Sequence, residues 1–341
     1  MKDYFITLDT GTTNTRAVLW RRGGIPVCME RCGAGVRDTA ADGTNIRLKQ
    51  SIRQCLERLL EKGGRTFSEV EAVFASGMIT SNVGLLEVPH LTAPVSAGDF
   101  VEQLYRSELD DICPVPIYFI RGVKNQRREN KDLEDMDIMR GEETEVLALL
   151  EEFSDPRPYV FILPGSHSKF VFVNEKREIT GCLTSLTGEL LENMTLHTIL
   201  ADAVDRQFAT KETYRKEAVL TGYTEAKEHG TGRALFSARI RKMFGPEEQR
   251  SAKWTANYLL GAVLESDIRA IQGTRLLKNA ETAVGIVAGK EPFLSGLTDI
   301  LKEEGLFREV IKREAKEEVP ISAKGACLIA ESWMKKREEK R

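Results

Sequence analysis

The chain has 341 residues, 41% of them hydrophobic and 30% charged, enough to bury a sizeable core and to form two domains. Its 49 basic and 52 acidic residues leave a net charge of −3, which supplies no basic field for nucleic acid. No apolar run approaches the ~20 residues of a membrane span, and the first strand starts too early for a secretory signal to precede it.

The chain opens on strand, tight turn, strand. Apolar runs from Phe5 to Leu8 and from Ala17 to Trp20 flank Asp9, Thr10, Gly11, Thr12, Thr13, Asn14 and Thr15. Such a turn suits a nucleotide triphosphate. Gly11 lets backbone N–H groups approach phosphate oxygens. Thr12, Thr13 and Asn14 add short donors. Arg16 adds a permanent positive charge, and Asp9 can hold Mg²⁺ directly or through water. An ordinary hairpin has the same outline, but Asp-x-Gly-Thr-Thr-x-x-Arg is a dense coincidence.

A third strand follows from Ile25 to Cys32, and 41–44 reads as loop. A helix over 45–61 has an apolar face of Ile46, Ile52, Leu56, Leu59 and Leu60. Val70 to Ala75 is a short strand running into Ser76, Gly77 and Met78, and on to Asn82 and Gly84. Small polar residues past a strand end are a common place for ligand contacts, though they also serve as plain helix caps. Residues 86–100 read as loop, 101–109 as a short helix and 115–120 as a strand. Gly122 to Asp137 is strongly charged and reads as a solvated loop. Met139-Arg140-Gly141-Glu142-Glu143-Thr144-Glu145 opens a helix over 146–153, where acidic residues are ordinary dipole partners.

Asp155-Pro-Arg-Pro158 is the natural linker, and it sets domains at 1–155 and 156–318. A helix over 319–341 is expected to pack back on the first domain. After the linker, strand–turn–strand recurs: Tyr159 to Pro164, then Gly165-Ser166-His167-Ser168-Lys169, then Phe170 to Val173. The architecture of residues 5–20 thus repeats about 155 residues later. This is the strongest argument for a duplicated ATPase whose two hairpins grip a triphosphate across a cleft. Lys169 and His167 suit phosphate charge. A strand over 178–183 precedes a long helix over 187–204, and helices then dominate at 211–218, 224–228, 233–243 and 254–272. A strand over 282–288, the turn Gly289-Lys290-Glu291 and a helix over 293–304 follow. A short strand near Val310 and a helix over 320–336 close the chain.

Several tempting motifs fail. Gly285 to Lys290 is one residue short of Walker A spacing and lacks its Ser or Thr, and Gly230-Thr-Gly232 lacks the third glycine of a dinucleotide fingerprint. The six cysteines are scattered, with one close pair (Cys28, Cys32) and no second, so reduced cytoplasmic thiols are the reading rather than a zinc site.

Read together, the motifs resemble one family, the 2-dehydro-3-deoxygalactonokinases of the actin–hexokinase ATPase superfamily. The matching pieces are Asp9 to Arg16, Ser76 to Gly84 leading to Val88-Pro-His-Leu91, Met139 to Thr144, Leu163 to Lys169, Thr187-Gly-Glu-Leu190 and Leu259-Leu-Gly-Ala262. The resemblance implies a two-domain α/β fold, actin/hexokinase-like and ribonuclease H-like, with an interdomain cleft. It also implies ATP- and Mg²⁺-dependent transfer of phosphate to the terminal (C6) hydroxyl of a 2-keto-3-deoxy sugar acid. In that frame Asp9 organises the metal. Gly11, Thr12, Thr13, Asn14, Arg16, Gly165, Ser166, His167 and Lys169 bind the phosphates, and Gly289 with Lys290 meets the adenosine. Ser76, Gly77, Met78 and Asn82 hold the sugar hydroxyls, and Arg140 takes the substrate carboxylate. The base candidates are Glu143, then Glu142, with Asp9 the rival. Gly-Glu-Glu at a helix start just before the second hairpin is similar to exopolyphosphatases, whose catalytic glutamate activates water there. Arg121 stands where similar sequences tend to have proline, and the 122–137 loop looks longer than usual, so the sugar acid stays open. An exopolyphosphatase-like phosphohydrolase, a kinase for a related sugar acid and a non-catalytic sugar sensor are the alternatives. A small sugar acid is the expected partner, without nucleic acid or membrane. A homodimer is among the assembly states left open.

Overall fold

The computed structural model describes residues 2–127, 133, 136–277, 280–315 and 318–340. The chain packs as two compact units, Met1–Asp155 with Arg177–Gly181 and Glu317–Arg341, and Pro156–Lys176 with Cys182–Lys316. The short segment 177–181 thus falls in the first unit, inside the span 156–318 that the linker alone suggested. The middle of the charged loop, residues 128–132 with 134 and 135, lies outside the described residues.

The first unit begins with β1 (Tyr4–Thr10), β2 (Thr15–Arg21) and β3 (Ile25–Cys32), then α1 (Val36–Asp42), α2 (Ile46–Gly63) and β4 (Val70–Gly77). It continues through β5 (Leu91–Thr92), α3 (Ala97–Glu102), β6 (Tyr105–Ser107), β7 (Ile117–Phe119), β8 (Val123–Lys124), β9 (Ile138–Met139) and α4 (Glu142–Leu150). Its main sheet has the order β3-β2-β1-β4-β7-β6, with antiparallel hairpins on one side of β1 and, on the other, the parallel strands β4 and β7 with β6 antiparallel at the edge. Strand alternation sends Ile6 and Leu8 into a core with Leu48, Ile52, Leu56 and Leu59 of α2. It sends Phe5, Val18, Trp20 and Phe74 to the other face, where α10 (Ile321–Glu339) supplies Ala323, Cys327, Ala330 and Met334. Asp9 shares the parity of Phe5 and Thr7, which is the α10 face.

The second unit holds β10 (Tyr159–Leu163), β11 (Ser168–Val173), β12 (Ile179–Ser185, entering from the first unit), α5 (Thr187–Leu196), α6 (Lys216–His229), α7 (Thr231–Phe244), α8 (Ala252–Gly273), β13 (Val284–Gly289), α9 (Phe293–Glu304) and β14 (Glu309–Glu314). Its sheet order, β12-β11-β10-β13-β14, reproduces β3-β2-β1-β4-β7 of the first. The repeated hairpin read in the sequence is therefore the visible part of a repeated sheet. The core gathers on α8, whose residues from Trp254 to Leu264 are all buried.

Four local expectations are corrected. The helix expected at 101–109 sits at Ala97–Glu102, because Ser96 and Asp99 cap each other's backbone N–H groups and start it early. The helix from Thr187 stops at Leu196 rather than near 204; the Leu200 N–H bonds the Thr198 hydroxyl at 3.1 Å, a local bond that competes with the helical ladder. The pieces expected at 211–218 and 224–228 are one helix, α6, with Gly222 inside it against α8. Ile46, assigned to an apolar face, is 60% exposed at the start of α2, and α1 was not anticipated.

Candidate active site

In the first unit the turn after β1 is closed by the Gly11 N–H bonding the Asn14 carbonyl at 2.9 Å, with Thr12, Thr13 and Asn14 exposed at its tip. The turn is braced from below. The Thr15 hydroxyl donates to the Ala34 carbonyl at 2.8 Å, and the Val36 and Arg37 N–H groups bond the Gly11 and Thr12 carbonyls. Register places Asp9 opposite Arg16 on the neighbouring strand, where Arg16 Nη1 lies 3.8 Å from Asp9 Oδ2. The Ser322 hydroxyl of α10 donates to the same oxygen at 3.0 Å. Burial raises the Asp9 pKa above the ordinary carboxylate value, with the Ser322 hydrogen bond and the Arg16 charge opposing.

Beside Asp9, β4 ends at Gly77 with φ +85°, and a Cβ there would fall 2.8 Å from Asp9 Oδ1 and 2.7 Å from the Thr10 carbonyl. Only glycine fits both demands. α4 starts next to this turn, since a Cβ on Gly141 would lie 3.3 Å from the Gly77 Cα.

The three glutamates of that helix start differ sharply. Glu143 is fully buried, and both its carboxylate oxygens accept from the Gly141 N–H at 2.8 Å. Burial, and then the charge of Glu142, push its pKa well above the ordinary value. Glu142 is partly exposed and accepts from the Arg140 N–H at 3.1 Å. Glu145, one turn on and on the same face as Glu142, lies in the fields of Asp9 and Arg16. Burial and the charges of Glu142 and Asp9 push it up to about 8, against Arg16. The sequence reading passed over Glu145 as a dipole partner; its spacing of three from Glu142 was the available signal.

The residues assigned to the sugar acid divide. Arg140 uses its guanidinium within the unit, donating to the Thr80 hydroxyl at 2.7 Å and the Val88 carbonyl at 3.0 Å. Ser76 is fully buried, which removes its hydroxyl from the surface, whereas Met78 is partly exposed and Asn82 exposed. Arg121 bonds the Gln103 and Pro89 carbonyls, at 2.7 and 3.2 Å, and so braces the 89–103 segment.

In the second unit, Gly165, Ser166 and His167 form the turn, and His167 Nε2 lies 2.9 Å from Glu189 Oε1 at the start of α5. Lys169 is only 8% exposed and donates to the Thr184 hydroxyl of β12 at 2.6 Å. Beneath it sits a buried polar group that sequence reasoning missed. Asp267 of α8 accepts from the Thr187 hydroxyl, whose oxygen lies 2.9 Å from the Ser185 hydroxyl. Burial pushes Asp267 up to about 6, with Ser185, Thr187 and Ser168 pulling down. A carboxylate within the long apolar stretch of α8 was the signal. Gly289 ends β13 against the ring of Pro164, which starts the second turn, and Lys290 beyond it is exposed. All six cysteines are free, and none of the described helices is long and apolar enough to cross a membrane.

A two-unit α/β fold with a repeated strand–turn–strand hairpin is that of the actin/hexokinase-like class. The crystal structure of a protein from Sinorhizobium meliloti, assigned as a 2-dehydro-3-deoxygalactonokinase, superimposes with a TM-score of 0.73 at 21% identity, covering 96% of this chain and 98% of that one. The family model for 2-keto-3-deoxy-galactonokinase matches residues 9–318, and the chain belongs to that family. The 2-dehydro-3-deoxygalactonokinase of Escherichia coli (strain K12) is 26% identical over 319 residues, covering 87% of this chain and 97% of its own. A Rhizobium meliloti (strain 1021) protein assigned the same activity is 38% identical over 206 residues, 59% of each chain. The chain is an ATP-dependent carbohydrate kinase for 2-keto-3-deoxygalactonate.

Proposed function

We propose that the chain transfers the γ-phosphate of ATP to the C6 hydroxyl of 2-keto-3-deoxygalactonate, with Asp9 and Glu142 as its working carboxylates. The observation carrying this reading is the pairing of Asp9 with Arg16 on one hairpin, with Glu145 of the α4 start in the field of both, in a chain of this family. Phosphoryl transfer is mostly positioning and charge neutralisation. Gly11, Thr12, Thr13 and Asn14 in the first unit, and Gly165, Ser166, His167 and Lys169 in the second, supply phosphate donors. Arg16 and Lys169 offset charge developing on the transferred group. Gly289 and Lys290 serve the adenosine, and the Met78–Asn82 turn the sugar hydroxyls.

Mg²⁺ fits this donor set. Asp9 is a partly exposed carboxylate whose charge reaches Glu145, and no described group of three or more His, Cys, Asp or Glu could hold a metal by itself. Mg²⁺ is ordinarily held by one or two carboxylates together with substrate phosphates. When bound it neutralises phosphate charge. Asp9 holds it.

The base that takes the proton from the C6 hydroxyl must reach that hydroxyl. Glu143 is sealed and spends both oxygens on the Gly141 N–H, so it shapes the turn. Glu142, partly exposed at the same helix start, takes the base role. Arg140 holds the 80–88 segment through Thr80 and Val88, so it orients the sugar side rather than binding the carboxylate directly. A net charge of −3 and free cysteines fit a cytoplasmic enzyme with a small-molecule partner.

A coupled ADP-release assay with Mg-ATP tests the function. The acceptors are 2-keto-3-deoxygalactonate, its gluconate epimer, glycerol, hexoses and none. Turnover with the galactonate compound alone is expected. ADP release independent of acceptor would overturn the reading in favour of a hydrolase.

A further inference from the structure

The C-terminal helix reaches the reaction centre through one hydroxyl. Ser322 is 3% exposed and sits in the first turn of α10, where its Oγ donates to Asp9 Oδ2 at 3.0 Å. Strand parity puts Asp9 on that face of the sheet, in line with Phe5 and Thr7. On the other strand Arg16 Nη1 approaches the same oxygen only to 3.8 Å. Ser322 is therefore the closer of the two groups fixing that edge of the carboxylate.

The hydroxyl is held by a packed helix and not by a loop. A Cβ on Gly325 would fall 1.8 Å from the Thr144 carbonyl, so α10 lies directly on α4, which carries Glu142 and Glu145. Ala323, Cys327, Ala330 and Met334 anchor α10 in the core with Phe5, Trp20 and Phe74. One helix thus sets both the Asp9 carboxylate and the glutamate helix beside it. Loss of a group that orients a metal-binding carboxylate from behind typically costs about 10–100-fold in metal affinity or activity.

We propose that Ser322 is a positioning residue for the kinase: its hydroxyl fixes the Asp9 carboxylate in the orientation that receives the Mg²⁺ of Mg-nucleotide. This rests on the reading of Asp9 as the metal-organising group. Ser322 touches neither substrate nor metal; it acts through Asp9.

The test compares wild type, Ser322→Ala, Ser322→Thr and Asp9→Asn, each as the full chain. Binding of Mg-ADP and of ADP in excess EDTA is measured by calorimetry, and the Mg²⁺ dependence of turnover is measured alongside. Ser322→Ala is expected to weaken Mg-ADP about 10-fold or more and to raise the half-saturating Mg²⁺ by a similar factor. Its affinity for metal-free ADP should stay at the wild-type level. Ser322→Thr keeps the hydroxyl and should recover most of the loss. The inference is overturned if Ser322→Ala leaves the Mg²⁺ response unchanged, if it weakens both forms of ADP alike, or if Ser322→Thr is as impaired as Ser322→Ala. Asp9→Asn separates the two layers. If it binds Mg-ADP and turns over normally, the Asp9 reading itself fails. If it is defective while Ser322→Ala is not, only the positioning role fails.

Discussion

The two hairpins share an outline and differ in chemistry at the same place. In the first, register sets Asp9 across from Arg16; in the second, Leu163 stands across from Lys169. The first cation therefore has a carboxylate partner on the facing strand, while the second faces a hydrocarbon and is held instead by the Thr184 hydroxyl. An acid beside a cation is suited to a metal and its phosphates; a lysine opposite leucine has no acid on the facing strand. Repetition of the sheet supplied two similar cradles, and one cross-strand position made them unlike.

That contrast can be broken at three levels. The largest effect is expected beside the acidic hairpin. Glu142→Gln should lower kcat about 10²-fold or more, as loss of a general base does. Glu143→Gln should stay within about 10-fold, since glutamine still accepts from the Gly141 N–H and resembles the protonated acid that burial favours. Steady-state kinetics on both variants checks the pair, and the reverse ranking would return the base to Glu143.

A smaller effect is expected from the cations. Lys169→Met should raise KM for ATP about 10-fold or more through loss of a charge-assisted contact. Arg16→Met should raise it less, because Asp9 already offsets part of the Arg16 field. Equal losses would mean that the facing residue does not matter.

The smallest is a stability effect under the second hairpin. The folded Asp267 value of about 6 lies above its ordinary 3.8, so between those values the folded chain binds more protons than the unfolded one. The Asp267 contribution to stability therefore falls as pH rises from about 4 to about 6 and is lost above, by on the order of 2–3 kcal/mol. Asp267→Asn should lack this fall while keeping an acceptor for Thr187. Urea unfolding of both proteins at pH 4, 5, 6 and 7 measures the difference.

What was legible in the sequence was local. Asp9 to Arg16 and Gly165 to Lys169 announce themselves because strand alternation and turn chemistry act over a few residues. The Gly-Glu-Glu run was equally visible, yet which glutamate faces the turn and which is sealed depends on the angle at which α4 leaves Gly141 (φ +112°). Ser322 was invisible, being 313 residues from its partner in an unremarkable helix start. Asp267 was missed because hydrophobic periodicity rewards the apolar neighbours of a buried helix and says nothing of the polar residue among them. The early start of α3 was set by a capping pair whose strength exceeds residue propensity.

Because the first unit is built from both ends of the chain, synthesis separates Asp9 from its partner hydroxyl by nearly the whole protein. While the ribosome works through the second unit, the face of the first sheet bearing Phe5, Trp20 and Phe74 has no helix to cover it. The second unit needs only the brief excursion at 177–181 and can consolidate first. The α10 segment then arrives as a late closing strip, so a nascent chain acquires its hydrophobic seal and the orientation of the Asp9 carboxylate in a single step.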